Sequence, residues 1–387
     1  MSETVSPKTG GTIVAFGDVV KKVTDKVDPE ESGLERYVAG EHMATDDLRI
    51  RRWGEIGDDY LGPAFHMRFK PGQVLYGSRR TYLRKVALAD FEGITANTTY
   101  VLESKDPEIL LGEILPFIMQ AETFHEHSKR ESKGSVNPYV NFSDLAWYEF
   151  ALPPLEEQRR IAEALQANER SIESLVQLRG CLKSLKSALE LDLAIQYSSL
   201  FGSAVATHKL GEIVDVVSGH PFSSKDFESK KDALLRLIRI RDLETQAPDV
   251  CVSGNAEYPE QALIQSGEIL VGMDGDFSAA KWRAEAALLN QRICCLRPKS
   301  SAIGDEDFLL ALLQPVLQRT CLMTSATTVR HLSTKTIASF GIALPDVPRQ
   351  QSVGKLIRAI NGSIEEIGSR ISQSQSIRTA ITEGLKR

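Results

Sequence analysis

One segment of this chain is present twice, and the repeat limits the folds that the chain can adopt. Residues 150–190 and 342–382 align without a gap at an offset of 192, and ten of the 41 aligned positions are identical. Two shorter pairs precede the copies: GDVV (17–20) with GEIV (211–214), and FKPGQVLYG (69–77) with IQSGEILVG (264–272). Because self-similarity at a fixed period marks repeated structural units, the sequence predicts two units in tandem, each a globular head followed by a helix.

Each copy of the repeat has the pattern of one long helix. Glu156 and Glu157 follow two prolines in the first turn of the first copy, where the helix dipole favours carboxylates. Asp346 is a candidate N-cap for the second copy. Apolar residues recur mostly at steps of three and four in both copies: Ile161, Leu165, Ile172, Leu175, Leu178, Leu182, Leu185, Leu189 and Leu193, then Val353, Ile357, Ile360, Ile364, Ile367, Ile371, Ile377, Ile381 and Leu385. These stripes predict that the two helices pair as a coiled coil, the alternative being that each packs on its own head.

The heads mix strand-like and helical segments, which predicts an α+β fold. The strand-like runs are VLYG, KVALADF, TTYVLE, ALLRLIRI, EILVGM and RICCL, and helices are predicted near residues 107–121 and 306–321. The stretch GSAVAT (202–207) is a natural boundary before the second head. The predicted segments are a first head at 1–152, a first helical spacer at 153–201, a second head at 202–344 and a second spacer at 345–387.

Composition describes an ordinary globular protein. Hydrophobic residues make up 42% of the 387 residues, and no run reaches the length of about 18 apolar residues that a membrane helix needs. The chain start has no signal-peptide pattern, and the five cysteines lack CxxC spacing, which predicts free thiols in a cytoplasmic protein without membrane contact. The net charge of −6 means that any nucleic acid must be bound by local basic patches.

Motifs for cofactor binding are incomplete. GQVLYGS (72–78) has the glycine spacing of a phosphate-binding loop but no lysine to reach the phosphates. NPY (137–139) has part of an amino-methyltransferase motif, without the second proline or an upstream glycine-rich turn, so it predicts a turn.

Candidate acid–base and metal groups are also isolated in the sequence. His125 and His127 are two positions apart on a predicted helix and face different ways, so they are predicted to be solvated. DGD (274–276) has no histidine or lysine nearby in the sequence. The sequence therefore predicts neither an active site nor a metal site.

Basic residues are concentrated in two stretches of the first head. Residues 69–89 contain five basic residues, two tyrosines and no acidic residue. Arginine suits guanine edges and phosphates, and tyrosine suits phosphates or sugars. The alternative is a solvated hairpin. The predicted DNA contacts of this head are Lys70, Arg79, Arg80, Tyr82, Arg84 and Lys85, with Lys133 and Tyr139 from the stretch at 125–139.

The second head has shorter basic segments. They are GHPFSSK (219–225), the stretch around Trp282, Arg292 and TTVRH (327–331). The predicted contacts here are His220, Lys225, Lys281, Arg283, Arg292, Thr327, Arg330 and His331.

Several segments together resemble the specificity subunits of type I restriction-modification systems. FALPPLEEQRRIAEAL resembles the start of the conserved helix of that family, and IALPDVPRQQSVGKLI resembles a second copy. EILVGMDGDFSAAKW, ALLNQRICCLRP and VRHLSTKTIASFGIALP are similar to segments of the family's target recognition domains, as is VLYGSRRTYLRKVALADFEGITANTTYVL. The second copy departs from the first at Asp346 and at 348–351, so partner contacts need not be symmetric.

This resemblance implies an architecture and a function. Two target recognition domains would each read one half of a bipartite site on double-stranded DNA, separated by two helices that form an antiparallel coiled coil. Two methyltransferase subunits would dock on this frame, and restriction (motor-nuclease) subunits can join them. The chain would not be an enzyme, and S-adenosylmethionine, ATP and Mg would be bound by partner subunits. The alternatives are a specificity subunit of a methylation-only or other phage-defence complex, and a coiled-coil scaffold whose heads bind protein.

Overall fold

The structure is a computed structural model, and it describes residues 11–57, 61–202, 208–228, 235–299, 301–324 and 330–384. The chain forms two compact units. The first comprises Met1–Val176 with Ser369–Arg387, and the second comprises Gln177–Gly368. Each unit therefore contains one head and a stretch of both long helices. The boundaries of the four predicted segments remain a prediction. Both long helices begin and end inside the two predicted helical spacers.

The first unit has two four-stranded sheets and a two-stranded ribbon. The sheet orders are β2-β9-β6-β7 and β4-β3-β8-β5, and β1 pairs with β10. The strands are β1 (Thr12–Ala15), β2 (Val20–Val23), β3 (Arg36–Val38), β4 (Gly54–Glu55), β5 (Phe65–Phe69), β6 (Val74–Gly77), β7 (Val86–Leu88), β8 (Gly93–Ala96), β9 (Thr99–Ser104) and β10 (Glu149–Leu152). The helices are α1 (Phe16–Val19), α2 (Leu115–Gln120), α3 (Glu122–Arg130), α4 (Phe142–Leu145) and the long α5 (Leu155–Tyr197).

The second unit has the sheets β12-β20-β17-β18 and β13-β15-β14-β19-β16, with a ribbon of β11 and β21. Its strands are β11 (His208–Lys209), β12 (Val214–Ser218), β13 (Phe227–Glu228), β14 (Arg236–Ile238), β15 (Cys251–Val252), β16 (Leu263–Ile264), β17 (Ile269–Gly272), β18 (Ser278–Lys281), β19 (Ala287–Leu289), β20 (Ile293–Pro298) and β21 (Gly341–Ile342). Its helices are α6 (Leu210–Ile213), α7 (Asp242–Thr245), α8 (Glu306–Met323), α9 (Thr334–Ala338) and the long α10 (Val347–Glu383).

The two heads share one arrangement of strands, with β13 as an additional edge strand in the second head, and this likeness explains the weak repeat in their sequences. The sheet β2-β9-β6-β7 of the first head and the sheet β12-β20-β17-β18 of the second have equivalent strand orders. In these sheets β6 occupies the place that β17 occupies in the second head. In each second sheet one pair is parallel, β3 with β8 and β14 with β19. The matched sequences at 69–77 and 264–272 end in these equivalent central strands, so the predicted duplication and the α+β class are confirmed.

The long helices run antiparallel to each other inside each unit. In the first unit, the Asn168 amide donates to the Ser374 carbonyl over 2.9 Å, and Ile381 packs against the core cluster that contains Leu165. In the second unit, Leu193 shares a core cluster with Val353 and Ile357. The predicted pairing is confirmed, because in each unit residues from both stripes pack into one core cluster together with residues of the head.

Three residues of the predicted stripes face solvent instead, Ile377 in the second helix and two leucines in the first. Leu178 and Leu185 are 49% and 56% exposed, whereas Arg179 and Lys186 are half-buried. From Leu175, alternating steps of four and three residues reach positions 179, 182, 186 and 189, which is the spacing of one continuous helix face. The geometry of the helix therefore selects these positions over the more apolar neighbours.

Three other sequence predictions can be compared with the fold. The helix predicted near 107–121 begins only at Leu115, and the residues before it form turns and a 3-10 segment. The five cysteines are free thiols, as predicted, and only Cys181 is exposed. No helix among the described residues combines the length and apolar character required to cross a membrane.

Candidate nucleic-acid interface

The loop that follows β6 carries most of the predicted contacts of the first head. It contains a short 3-10 turn, Thr81–Leu83, between Arg80 and Arg84. Both arginines adopt the left-handed backbone conformation, with φ of 51° and 52°. A non-glycine residue at positive φ is strained, and such strain is concentrated at functional sites. The two strained residues turn the chain sharply, so that Arg79, Arg80 and Tyr82 are exposed while Thr81 is buried.

The two basic stretches of the first head, 54 residues apart in the sequence at Arg79 and Lys133, meet at this loop. Arg79 forms an antiparallel bridge with Tyr139, which in turn pairs with Lys133. The Arg80 amide donates to the Pro138 carbonyl over 2.6 Å, and its guanidinium donates to the Asn137 side chain over 2.8 Å. The turn predicted at 137–139 therefore lies against the loop after β6, and the two form one surface. Residues 79–82 and 133–139 are called the β6 loop surface below.

Ion pairs divide the predicted contacts of this head into two groups. Arg84 is paired with Asp46 and Glu122, and Lys133 with Asp144 at 2.9 Å. Arg79 and Arg80 have no ion pair with any described residue and carry their charge at the surface. Lys70 lies at the opposite end of β6, 3.8 Å from Asp25. Arg84 therefore anchors the loop, whereas Arg79 and Arg80 are placed to meet an anion.

The second head has an equivalent loop after β17, and its residues are different. Asp274 bridges to His331 as Arg79 bridges to Tyr139. The Gly275 amide donates to the Arg330 carbonyl, as the Arg80 amide does to the Pro138 carbonyl. The same backbone frame thus presents arginine and tyrosine in the first head, and aspartate and histidine in the second.

Asp274 is the centre of a charged cluster in the second head. Its carboxylate lies 2.6 Å from His331 Nδ1 and 3.3 Å from Arg292 Nε. Arg330 lies 3.9 Å from Asp276 and donates to the Cys321 sulfur. The prediction that this DGD segment lacks a histidine partner was wrong, because the partner lies 57 residues away in the sequence.

The remaining predicted contacts of the second head are more scattered. Lys281 is paired with Glu306 and Asp307, and Arg283 with Glu365. These five side chains share no hydrogen bond or ion pair with the Asp274 cluster among the described residues. They belong to β18 and the residues just after it, to the first turn of α8 and to α10.

His220 and Lys225 belong to the loop after β12. The His220 amide donates to the Leu289 carbonyl, and its ring lies 4.9 Å from that of Phe222. Lys225 is exposed. Thr327 lies outside the described residues. All of these assignments to DNA contact stay predictions.

Sequence reasoning missed two residues of the first head, one of which, Arg52, donates to the backbone carbonyl next to the one that Lys85 contacts. Arg52 and Trp53 follow two other basic residues in the run RIRRW (49–53), a basic stretch with an aromatic residue that could have been recognised. Both are exposed, and the Arg36 guanidinium lies 4.6 Å from the centre of the Trp53 ring. They lie with Glu41 and His42 around an open depression of about 520 Å³.

The prediction that His125 and His127 are solvated was also wrong. Both are buried in α3, and His127 Nε2 lies 2.8 Å from the Asp144 carbonyl oxygen. Neither ring nitrogen of His125 has a hydrogen-bond partner among the described residues. Burial, followed by the charge of Arg84, lowers the pKa of His125 to about 4. Within the part of the chain that the structure describes, no three His, Cys, Asp or Glu side chains are grouped to hold a metal ion.

Comparison with known proteins gives the same assignment for both halves of the chain. The family model for the type I restriction modification DNA specificity domain matches residues 17–179 and again residues 203–372. The EcoBI type I restriction enzyme specificity subunit of Escherichia coli is 30% identical over 168 residues, which cover 43% of this chain and 35% of that protein. The match thus spans about a third of the length of that relative. The MjaVIII specificity subunit of Methanocaldococcus jannaschii is 24% identical over 390 residues, covering 91% of this chain and 86% of that protein.

Solved structures share the fold over nearly the whole chain. The S subunit of a type I restriction-modification system from M. genitalium superposes with a TM-score of 0.61 at 15% identity, covering 100% of this chain and 98% of the other. A chain of a type I R-M system described for its complex assembly and conformational transition gives 0.59 at 19% identity, with 99% of both chains covered. Because the family model matches two segments that together make up most of the sequence, this chain belongs to the type I restriction modification DNA specificity family.

Proposed function

We propose that this chain reads a two-part, asymmetric site on double-stranded DNA, one part with each head. Members of its family are DNA-recognition subunits that carry out no catalysis themselves, so the proposal concerns what the chain binds. The observation that carries it is the pair of equivalent loops after β6 and β17, which have the same backbone pairing and different side chains. Identical heads would match a palindromic site, whereas heads with different contact residues match two different half-sites.

The chemistry of the two loops supports different bases in the two halves. Arg79 and Arg80 are exposed cations that suit the O6 and N7 acceptors of guanine or a phosphate. In the second head the Asp274 carboxylate is already paired with His331 and Arg292, whereas the Asp276 carboxylate of the same loop is exposed and suits the amino donor of cytosine. The two loops therefore have opposite hydrogen-bonding preferences on the same frame.

The second part of the proposal concerns partners. Two methyltransferase subunits would dock on the long helices and act on target adenines, which must leave the base stack to be methylated. S-adenosylmethionine would be bound by those subunits, and ATP and Mg by restriction subunits where these join the complex. We place this assembly in the cytoplasm, where the chromosomal and invading DNA of a bacterial or archaeal cell are found.

A head exchange tests the proposal. Residues 207–338 are replaced with the corresponding head of another specificity subunit, and methylated adenines are mapped in cells that also carry the methyltransferase. We expect one half of the methylated motif to change and the other half to stay. A palindromic motif, or a change in both halves, would contradict the two-head reading.

The same cells distinguish the alternatives. A methylation-only complex would leave the motif methylated without cutting unmodified DNA. A protein-binding scaffold would give no methylation dependent on this chain, and its complex would show no steep dependence of DNA affinity on salt.

A further inference from the structure

Two cations of the first head are held on neighbouring carbonyl groups of one short loop. The Lys85 ammonium donates to the Gly40 carbonyl, and the Arg52 guanidinium donates to the Glu41 carbonyl over 2.9 Å. Because the two acceptors belong to consecutive residues, the two positive groups are close neighbours. Lys85 belongs to the basic stretch that begins before β6, and Arg52 comes from the segment before β4.

Neither cation has a carboxylate partner among the described residues. Arg51, by contrast, is paired with Asp47 and Glu173 at 2.7 Å. Partial burial and then the charges of Arg52 and Arg80 lower the pKa of Lys85, whereas Glu41 raises it. The positive charges of Arg52, Arg80 and Lys85 therefore lie near one another. They are offset by neutral carbonyl oxygens and by the Glu41 carboxylate. An anion placed between them would relieve this repulsion.

The surroundings of the two cations fit a nucleic-acid backbone. Arg52 lines an open depression of about 520 Å³ together with Glu41, His42, Arg51 and Trp53, and Lys85 donates to the carbonyl of Gly40, the residue before Glu41. Trp53 is 41% exposed there, which gives the depression one apolar wall. A phosphodiester needs a cationic group for its oxygens and tolerates an apolar surface against its sugar.

We propose that Arg52 and Lys85 bind a phosphate of the DNA backbone beside the first half-site, with Trp53 against the adjoining sugar. This inference rests on the proposed function and extends the β6 loop surface toward β4. Phosphate contacts set the register of a protein on DNA without reading the sequence. Arg52 is therefore a positioning residue, distinct from the base-reading role expected of Arg79 and Arg80.

The test compares Arg52→Ala with Lys105→Ala in the full chain assembled with its methyltransferase. Lys105 is a matched control because its ammonium also donates to a backbone carbonyl, that of Gly17, at the far end of β9 from the β6 loop. The probe is a labelled 40-base-pair duplex of arbitrary sequence, titrated at several salt concentrations. Thermal unfolding of each variant checks that the fold is retained.

For Arg52→Ala we expect a loss of affinity of about five- to tenfold near 0.1 M salt, and a salt slope smaller by about one. Glu41→Gln should act in the opposite direction and tighten binding, because it removes the negative charge that competes with the phosphate. The methylated motif should stay the same in both variants. Lys105→Ala should match the wild type in affinity and slope.

The possible outcomes distinguish a failure of the proposed function from a failure of the proposed phosphate site. If the wild-type complex itself binds no duplex, the proposed function fails. If the wild type binds but Arg52→Ala keeps the wild-type affinity and salt slope, the phosphate site is wrong and the proposed function is unaffected. Loss of affinity for a free nucleotide such as dAMP, with duplex binding unchanged, would also overturn the inference, because the depression would then be a small-molecule site.

Discussion

Gln158 and Gln350, which are 192 residues apart, make the same three hydrogen bonds in the two units. Gln158 accepts from the Leu111 amide and donates to the carbonyls of Ile109 and Pro153, at 2.8–2.9 Å. Gln350 accepts from the Gly304 amide and donates to the carbonyls of Ala302 and Pro345, at 2.8–2.9 Å. Each side chain lies in the first turn of a long helix and joins it to the segment before a helix of the head. This shared role explains why glutamine is one of the few identical residues of the repeat.

Alanine at either glutamine should destabilise the chain. Both side chains are about 1% exposed, so their loss leaves a buried amide and two carbonyls without partners. We expect Gln158→Ala and Gln350→Ala each to lower the free energy of unfolding by about 1–3 kcal/mol, measured by urea denaturation. The control is Gln351→Ala, because Gln351 is the exposed neighbour of Gln350. Equal stability of the buried and exposed variants would contradict this role.

Arg84 should contribute to stability by anchoring the β6 loop. It is 27% exposed and is paired with Asp46 and Glu122, so its loss should cost about 1 kcal/mol after solvent screening is allowed for. Its φ of 52° adds a second test. Glycine adopts this conformation without the penalty of about 1–2 kcal/mol that other residues pay. Thermal unfolding should therefore show Arg84→Gly to be more stable than Arg84→Ala. The reverse order would mean that the left-handed backbone is not retained.

Arg79 and Arg80 should affect DNA binding and leave stability almost unchanged. Both are exposed, and neither has an ion pair with any described residue. We expect the variant with alanine at both positions to bind its specific DNA more weakly in an electrophoretic mobility assay. The loss should be about 1–3 kcal/mol for whichever side chain contacts a base edge. The unfolding midpoint should change little, because the hydrogen bond that is lost, from Arg80 to Asn137, is exposed to solvent. Normal affinity and normal methylation in the double variant would rule out the β6 loop surface as a DNA contact.

His125 should make the stability of the chain depend on pH below neutrality. Its pKa is lowered from 6.5 to about 4 by burial, so the folded chain keeps the ring neutral while the unfolded chain takes up a proton. The unfolded state then binds more protons, and stability is lost as the pH falls from about 6.5 toward 4. Between pH 7.5 and pH 5 the loss should be about 2 kcal/mol.

The variant His125→Leu isolates this contribution. It fills the same buried position without a titrating group, so its free energy of unfolding should fall less between pH 7.5 and pH 5. Parallel curves for the wild type and the variant would show that the ring is not held neutral by burial.

The family and the arrangement of the chain followed from local and repeated patterns in the sequence. The repeat at an offset of 192 predicted two equivalent units, and the equivalent sheets around β6 and β17 confirm it. Apolar periodicity predicted the long helices and their pairing. These features depend on residues within a few turns of each other or on whole segments that recur, and both can be read along the chain.

The charged surfaces were decided by tertiary structure alone. The sequence shows Arg79, Arg84 and Lys133 as equal cations, yet only the fold brings Asp46 and Glu122 to Arg84, and Asp144 to Lys133, leaving Arg79 at the surface. In the second head it brings His331 to Asp274 across 57 residues. A Coulomb interaction depends on distance in space, and a side chain's partners come from strands and loops that are remote in the sequence. For that reason the number of basic residues could be read from the sequence, but the fold determined which of them remain available to bind an anion.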